Sequence, residues 1–229
     1  MIADRVAAVR DRIARAAARV GRTAGEVTLV AVSKMHPPEA VREAFAAGVR
    51  EVGENRVQEA EGKIAALADL APHGLHWHLV GHLQSNKAKK AAVLFDWVHS
   101  LDGAALGRRL AEAAVAAGRE LRALVQVELG AEQTKFGLDE SRLFPALESL
   151  RGLGAVKLLG LMALPPYEED AERTRPYFRR LRALRDRARQ EGLIEGAELS
   201  MGMSHDLEVA VEEGATLVRV GTAIFGERN

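Results

Sequence analysis

Lys34 closes the stretch "LVAVSK" and stands directly before the turn signal "MHPP". A solvated lysine at a turn is the ordinary reading. Near the other end of the chain, "SMGMS" (200–204) and "RVGTAIFG" (219–226) follow apolar runs with glycine, serine and threonine. Backbone N–H groups and hydroxyls in such loops make concave nests for anions, the more so where a helix begins. An amine facing that nest can bind a phosphorylated molecule as a point charge. It can also form a Schiff base with a carbonyl compound whose phosphate is anchored next door, because desolvation frees the neutral amine. Gly221 and Thr222 are the expected anion contacts.

Arg219 stands among apolar neighbours in "TLVRVGT" and shares a strand face with Gly221. One reading pairs it inside the fold with a carboxylate, Glu51 or Glu128. The other aims its guanidinium at a ring nitrogen lying between the phosphate and the lysine. Arginine stays protonated, so it donates to a neutral pyridine nitrogen but cannot keep that nitrogen protonated. His76 and His78 of "LHWHLVG" share a face as paired metal ligands do. A fixed guanidinium nearby disfavours a cation, so no metal is expected and hydrogen-bonded histidines are. The lysines of "SNKAKKAA" and Lys135 of "EQTKFG" read as solvated.

The elements that must position these groups alternate along the whole sequence. Apolar residues at helical spacing (Ile2, Val6, Val9, Ile13, Val20) predict a leading helix. Then follow eight strands, centred on "VTLVAVS", "VREVGEN", "LHWHLVG", "DWVHS", "LRALVQVEL", "AVKLLGLMAL", "AELSMG" and "TLVRVGTAIFG", with seven helices between them. Eight such units predict a single α/β domain over residues 1–229, a (β/α)8 TIM barrel; a doubly wound open sheet is the competitor. In these barrels chemistry sits at the C-terminal strand ends, where Lys34, Glu54, Asn55, His82, Glu128 and Gly221 stand.

Composition narrows the class. Lys plus Arg equals Asp plus Glu at 32 each, so no net field favours nucleic acid or an anionic membrane. No apolar run reaches membrane-spanning length, and with no cysteine neither disulfides nor thiolate chemistry is available. A cytoplasmic protein is expected.

"AVSK", "GENRVQE", "WHLVGHLQSNK", "HSLD", "GLMAL" and "LSMGMSHDLEVAVEEGATLVRVGTAIFGER", in that order, resemble the YggS-type pyridoxal phosphate homeostasis proteins over nearly the whole chain. The resemblance implies a fold-type III barrel like the N-terminal domain of alanine racemase, without that enzyme's C-terminal β-domain. It implies pyridoxal 5'-phosphate (PLP) held as a Schiff base on Lys34. The phosphate positions map to Ser200, Met201, Gly221 and Thr222, the pyridine-nitrogen partner to Arg219, and a residue near the cofactor to Asn55. His82 and the loop "ELGAEQTKFG" depart from the family pattern. The expected role is a carrier that buffers PLP and supplies it to acceptor enzymes, as a monomer or weak dimer without catalytic turnover. The alternatives are an amino-acid racemase of the same fold type and a cofactor-free, lysine-dependent aldolase.

Overall fold

The computed structural model describes residues 1–130 and 136–227. Eight strands pair in parallel: β1 (Thr28–Val32), β2 (Glu51–Glu54), β3 (His76–Leu79), β4 (Trp97–Leu101), β5 (Leu121–Glu128), β6 (Val156–Ala163), β7 (Glu198–Ser200) and β8 (Leu217–Val220). Each pairs with the next in the chain, and β8 returns to β1, so the sheet closes into the expected barrel.

Closure follows from alternation along each strand. In β1, Val30 and Val32 point inward while Ala31 points to the helices. The barrel interior holds Val30, Val32, Val80, Leu124, Met162 and Leu217, and a much larger shell of aliphatic side chains fills the space between sheet and helices. Each fully buried Leu or Val in that shell contributes about 1.5–3 kcal/mol.

The helices α2 (Pro38–Ala46), α3 (Val57–Ala66), α4 (Ala88–Leu94), α5 (Ala104–Ala116), α6 (Glu140–Leu150), α7 (Arg175–Gln190) and α8 (Leu207–Glu212) connect the strands in turn. Pro176 sits in the first turn of α7, where a missing N–H breaks no helical bond. The eighth place in the ring belongs to the leading helix, α1 (Ile2–Arg19). It buries Val6, Val9, Ile13, Ala16 and Ala17 and packs against α2 and α8 across the β1–β8 seam. Among the described residues, no helix is long and apolar enough to cross a membrane.

Two short elements correct the sequence reading. Leu138–Asp139 pairs with the end of β5, in a stretch without any strand pattern. The segment "TLVRVGTAIFG", read as one strand, breaks at Gly221 and continues as a single helical turn, α9 (Thr222–Phe225).

Candidate functional site

Beyond β1 the chain turns through Ser33, Lys34, Met35 and His36, and the His36 N–H donates to the Ser33 carbonyl at 3.0 Å. Met35 adopts φ 64°, a left-handed conformation that costs a non-glycine residue about 1–2 kcal/mol. Its N–H donates to Glu59 Oε1 at 2.5 Å. The buried Lys63 ammonium donates to the Ser33 carbonyl at 2.7 Å, to Glu54 Oε1 at 2.6 Å and to Glu59 Oε1 at 2.8 Å. All its protons are thereby used. The Ser33 hydroxyl adds a 2.5 Å bond to Glu54. These charge-assisted bonds offset the strained turn and fix it from β2 and α3. Burial pushes the Glu54 carboxyl above its ordinary range, against the pull of Lys63 and Ser33. Burial acts the same way on Glu59, but Lys63 and the Met35 N–H outweigh it and hold that carboxyl low. Lys34 rides on this braced turn, half-buried.

The opposite wall is the end of β8. The register Val30↔Arg219 and Ala31↔Val220 sends Lys34 and Thr222 out of the same end of adjacent strands. A Cβ at Gly221 would lie 3.2 Å from the Val32 carbonyl, so glycine lets the seam close there. Thr222 is exposed at the start of α9, where the first N–H groups lack helical partners. The Ala223 N–H is directed at Ser204 Oγ, 3.3 Å away. Arg12 of α1 holds that loop, donating to the Ser204 carbonyl at 2.9 Å and to both Glu208 oxygens at 2.6 and 2.8 Å. The His36 ring stacks on Phe225 with centroids 5.2 Å apart, joining the two walls.

Inside the barrel, Arg219 does not pair with Glu51 or Glu128. Its guanidinium donates to Ser200 Oγ at 2.5 Å and to the Ala163 carbonyl at 2.9 Å. Burial pushes it down to about 10, partly countered by Asp206, so it remains a cation at neutral pH. Ser200 Oγ lies 2.8 Å from His99 Nδ1. His99 Nε2 lies 2.9 Å from His78 Nδ1, and His78 Nε2 lies 2.6 Å from Glu51 Oε2. Burial lowers the affinity of both imidazoles for a proton. At His78 Glu51 opposes this, whereas at His99 the neighbouring His78 and Arg219 push it lower still.

The structure therefore divides the sequence-derived candidates. Lys34, Gly221 and Thr222 meet at the C-terminal rim, with Arg219 deeper on the same strand. Ser200 is fully buried, and its hydroxyl is engaged by Arg219 and His99. The Met201 side chain lies in the outer core, and its N–H donates to the Leu217 carbonyl at 3.1 Å. Asn55 follows β2 at the rim, its backbone so close to Gly81 that a Cβ there would lie 2.3 Å from the Asn55 carbonyl oxygen. His82 stacks on Phe136 at 3.8 Å, while His76 lies 3.7 Å from Asp96. Lys90 pairs with Glu61, and Lys135 lies outside the described residues. Sequence reasoning missed Lys63, Ser204 and the link from His99 to Ser200. Only the i,i+4 pair Glu59–Lys63 left a trace, and it reads as an ordinary helix-surface pair.

Residues 5–229 match the family described as alanine racemase, N-terminal domain. The pyridoxal phosphate homeostasis protein of Aquifex aeolicus is 46% identical over 200 residues, covering 87% of this chain and 86% of that one. The protein of the same name from Pseudomonas aeruginosa is 46% identical over 231 residues, covering 100% and 96%. Among solved structures, PipY of Synechococcus elongatus with PLP bound superposes with TM-score 0.88 at 44% identity, covering 99% of this chain and 100% of that one. Alanine racemase of Corynebacterium glutamicum shares the fold at TM-score 0.69 and 19% identity, over 99% of this chain and 61% of the enzyme.

Proposed function

The chain belongs to the pyridoxal phosphate homeostasis proteins, built on the alanine racemase N-terminal domain, and from that premise we propose that it binds PLP reversibly and takes part in maintaining the PLP pool. When bound, PLP supplies an aldehyde that condenses with primary amines. Lys34 is the amine assigned to it, as a Schiff base formed with loss of one water. The residues present suit the group. The glycine at 221, where a Cβ would crowd the Val32 carbonyl, leaves backbone room beside the lysine turn. Thr222 and the N–H groups opening α9 are assigned to the phosphate, with Arg219 at the pyridine nitrogen and Asn55 at the rim. Ser200 and Met201 serve this reading as supports, Ser200 holding the guanidinium and Met201 anchoring β7 to β8.

The observation that carries the proposal is the β1–β8 register, which brings the lysine turn, the turn at Gly221 and Thr222 and the buried guanidinium to one seam. A protein that held PLP this way could also hand it to acceptor enzymes, because an incoming primary amine would form one C=N bond as the bond to Lys34 breaks and Lys34 leaves as the amine. Borohydride reduction of the PLP-loaded protein followed by peptide mapping tests the assignment. The pyridoxyl group is expected on the peptide containing "AVSK"; label chiefly on Lys87, Lys89 or Lys135 overturns it.

A further inference from the structure

Arg219 is a buried cation whose hydrogen bonds among the described residues go to a hydroxyl and a carbonyl, not to a carboxylate. Burying a charge without compensation is costly. Asp206 counters part of that charge through space, and a hydrogen-bonded path to a second carboxylate, Glu51, runs through Ser200, His99 and His78.

The direction of the protons in this chain follows from its ends. A guanidinium only donates, so Ser200 Oγ accepts from Arg219. The single Ser200 proton then goes to His99 Nδ1, which must be unprotonated. His99 is left with its proton on Nε2 and donates to His78 Nδ1. His78 in turn carries its proton on Nε2 and donates to the Glu51 carboxylate. Every proton has an acceptor, and every bond points from cation to anion. The reverse order leaves the Ser200 proton without a partner in the chain and sets two acceptors, His78 Nε2 and the Glu51 carboxylate, 2.6 Å apart. Aligned bonds of this kind polarise and strengthen one another.

We infer that His99, backed by His78 and Glu51, is a positioning residue for Arg219, orienting the Ser200 hydroxyl so that the guanidinium is held in a fixed place. The inference rests on the proposed placement of PLP, because a fixed guanidinium matters only if something sits against it. The neutral state of both imidazoles agrees with their burial.

The experiment has one arm without cofactor and one with it. Two-bond 1H–15N spectra of the unloaded protein at neutral pH should give the neutral Nε2–H pattern for His78 and His99. A charged ring or an Nδ1–H tautomer at either position overturns the relay. In the second arm, PLP affinity and the near-visible spectrum are measured for His99→Leu, Ser200→Ala and His99→Asn, each checked for a cooperative melt. The Asn side-chain carbonyl can still accept the Ser200 proton and should restore wild-type behaviour. His99→Leu and Ser200→Ala should weaken PLP binding about tenfold, the effect of roughly one charge-assisted hydrogen bond, and shift the band. Folded Leu and Ala variants that match wild type in both readouts overturn the inference. If His99→Leu fails to fold, Ser200→Ala decides. Wild-type protein that takes up no PLP overturns the functional reading itself, an outcome distinct from binding that ignores these substitutions.

Discussion

The ammonium of Lys63 donates to the carbonyl of Ser33 at 2.7 Å, immediately before the lysine assigned to the cofactor. The buried Lys63 thus sets the position of the half-buried Lys34 by gripping the backbone beside it. Lys63→Met would leave Glu54, fully buried, without its cation. Breaking a buried pair this way costs about 3–5 kcal/mol, readable by urea unfolding. Adding Glu54→Gln should recover part of the loss. A change within about 1 kcal/mol, the range of exposed ion pairs, would mean the pair is not structural.

Acid should destabilise the fold through the buried imidazoles. Their folded pKa values lie below the ordinary 6.5. Below pH 6.5 the unfolded chain takes up protons that the folded chain refuses, so stability is full above that value and falls as pH drops through it. Each excluded proton contributes a slope of up to about 1.4 kcal/mol per pH unit. Urea unfolding at about pH 7.5 and about pH 5.5 should show a shallower loss in His99→Asn than in wild type. Equal slopes would place His99 among ordinary, solvated histidines.

Thr222→Ala should weaken PLP retention. A hydrogen bond to a charged group contributes roughly 1.5–3 kcal/mol, which is about tenfold to a hundredfold in affinity. Ser204→Ala, at the hydroxyl facing the Ala223 N–H, should act in the same direction. Unchanged affinity in both variants would move the phosphate elsewhere.

Arg219→Gln should remain folded, because it removes a buried charge as well as two hydrogen bonds. The glutamine can keep one of those bonds but not both. Its near-visible PLP spectrum should change and its affinity fall. A variant that unfolds broadly with or without PLP would make Arg219 a structural residue only.

Racemisation of L-alanine should be negligible. The guanidinium proposed for the pyridine nitrogen would leave the ring a weak electron sink, and proton return on the second face needs a further acid/base group. Tyr167 is exposed and packs near the His205 ring, with centroids 5.4 Å apart. Following optical rotation with purified protein is the check; sustained turnover that vanishes in Lys34→Ala would restore the racemase reading.

Much of this was legible in the sequence, for identifiable reasons. Buried parallel strands write themselves as β-branched runs, and strand ends carry the chemistry, so Lys34, Arg219, Gly221 and Thr222 could be picked out by type and place. The inward direction of the Ser200 hydroxyl was not legible, because a serine at a strand end looks alike whether it faces the rim or the interior; alternation decides, and β7 is only three residues long. The link from His99 to Ser200 spans 101 residues, so it exists only once strands distant in sequence share an interior. Lys63 was hidden because a helix pattern records which face is apolar, not that one cation on it reaches under a neighbouring turn.

The ring position taken by α1 also bears on how the molecule is assembled. Arg12 and Glu208 are 196 residues apart along the chain, yet they clasp the loop beside the cofactor seam. During synthesis the first helix can meet α2 early, but the part of its apolar stripe that faces α8 stays uncovered until that helix has been made. Contacts so distant in sequence are won late, after most of the loop-closure entropy has been lost. The seam between β1 and β8 is then the final closure, and the site proposed for PLP is completed with it. A chain halted before Leu217 would hold the Lys34 turn and the Ser204 loop but lack Arg219, Gly221 and Thr222, so weak PLP uptake by such nascent chains is expected to rise on completion of the fold.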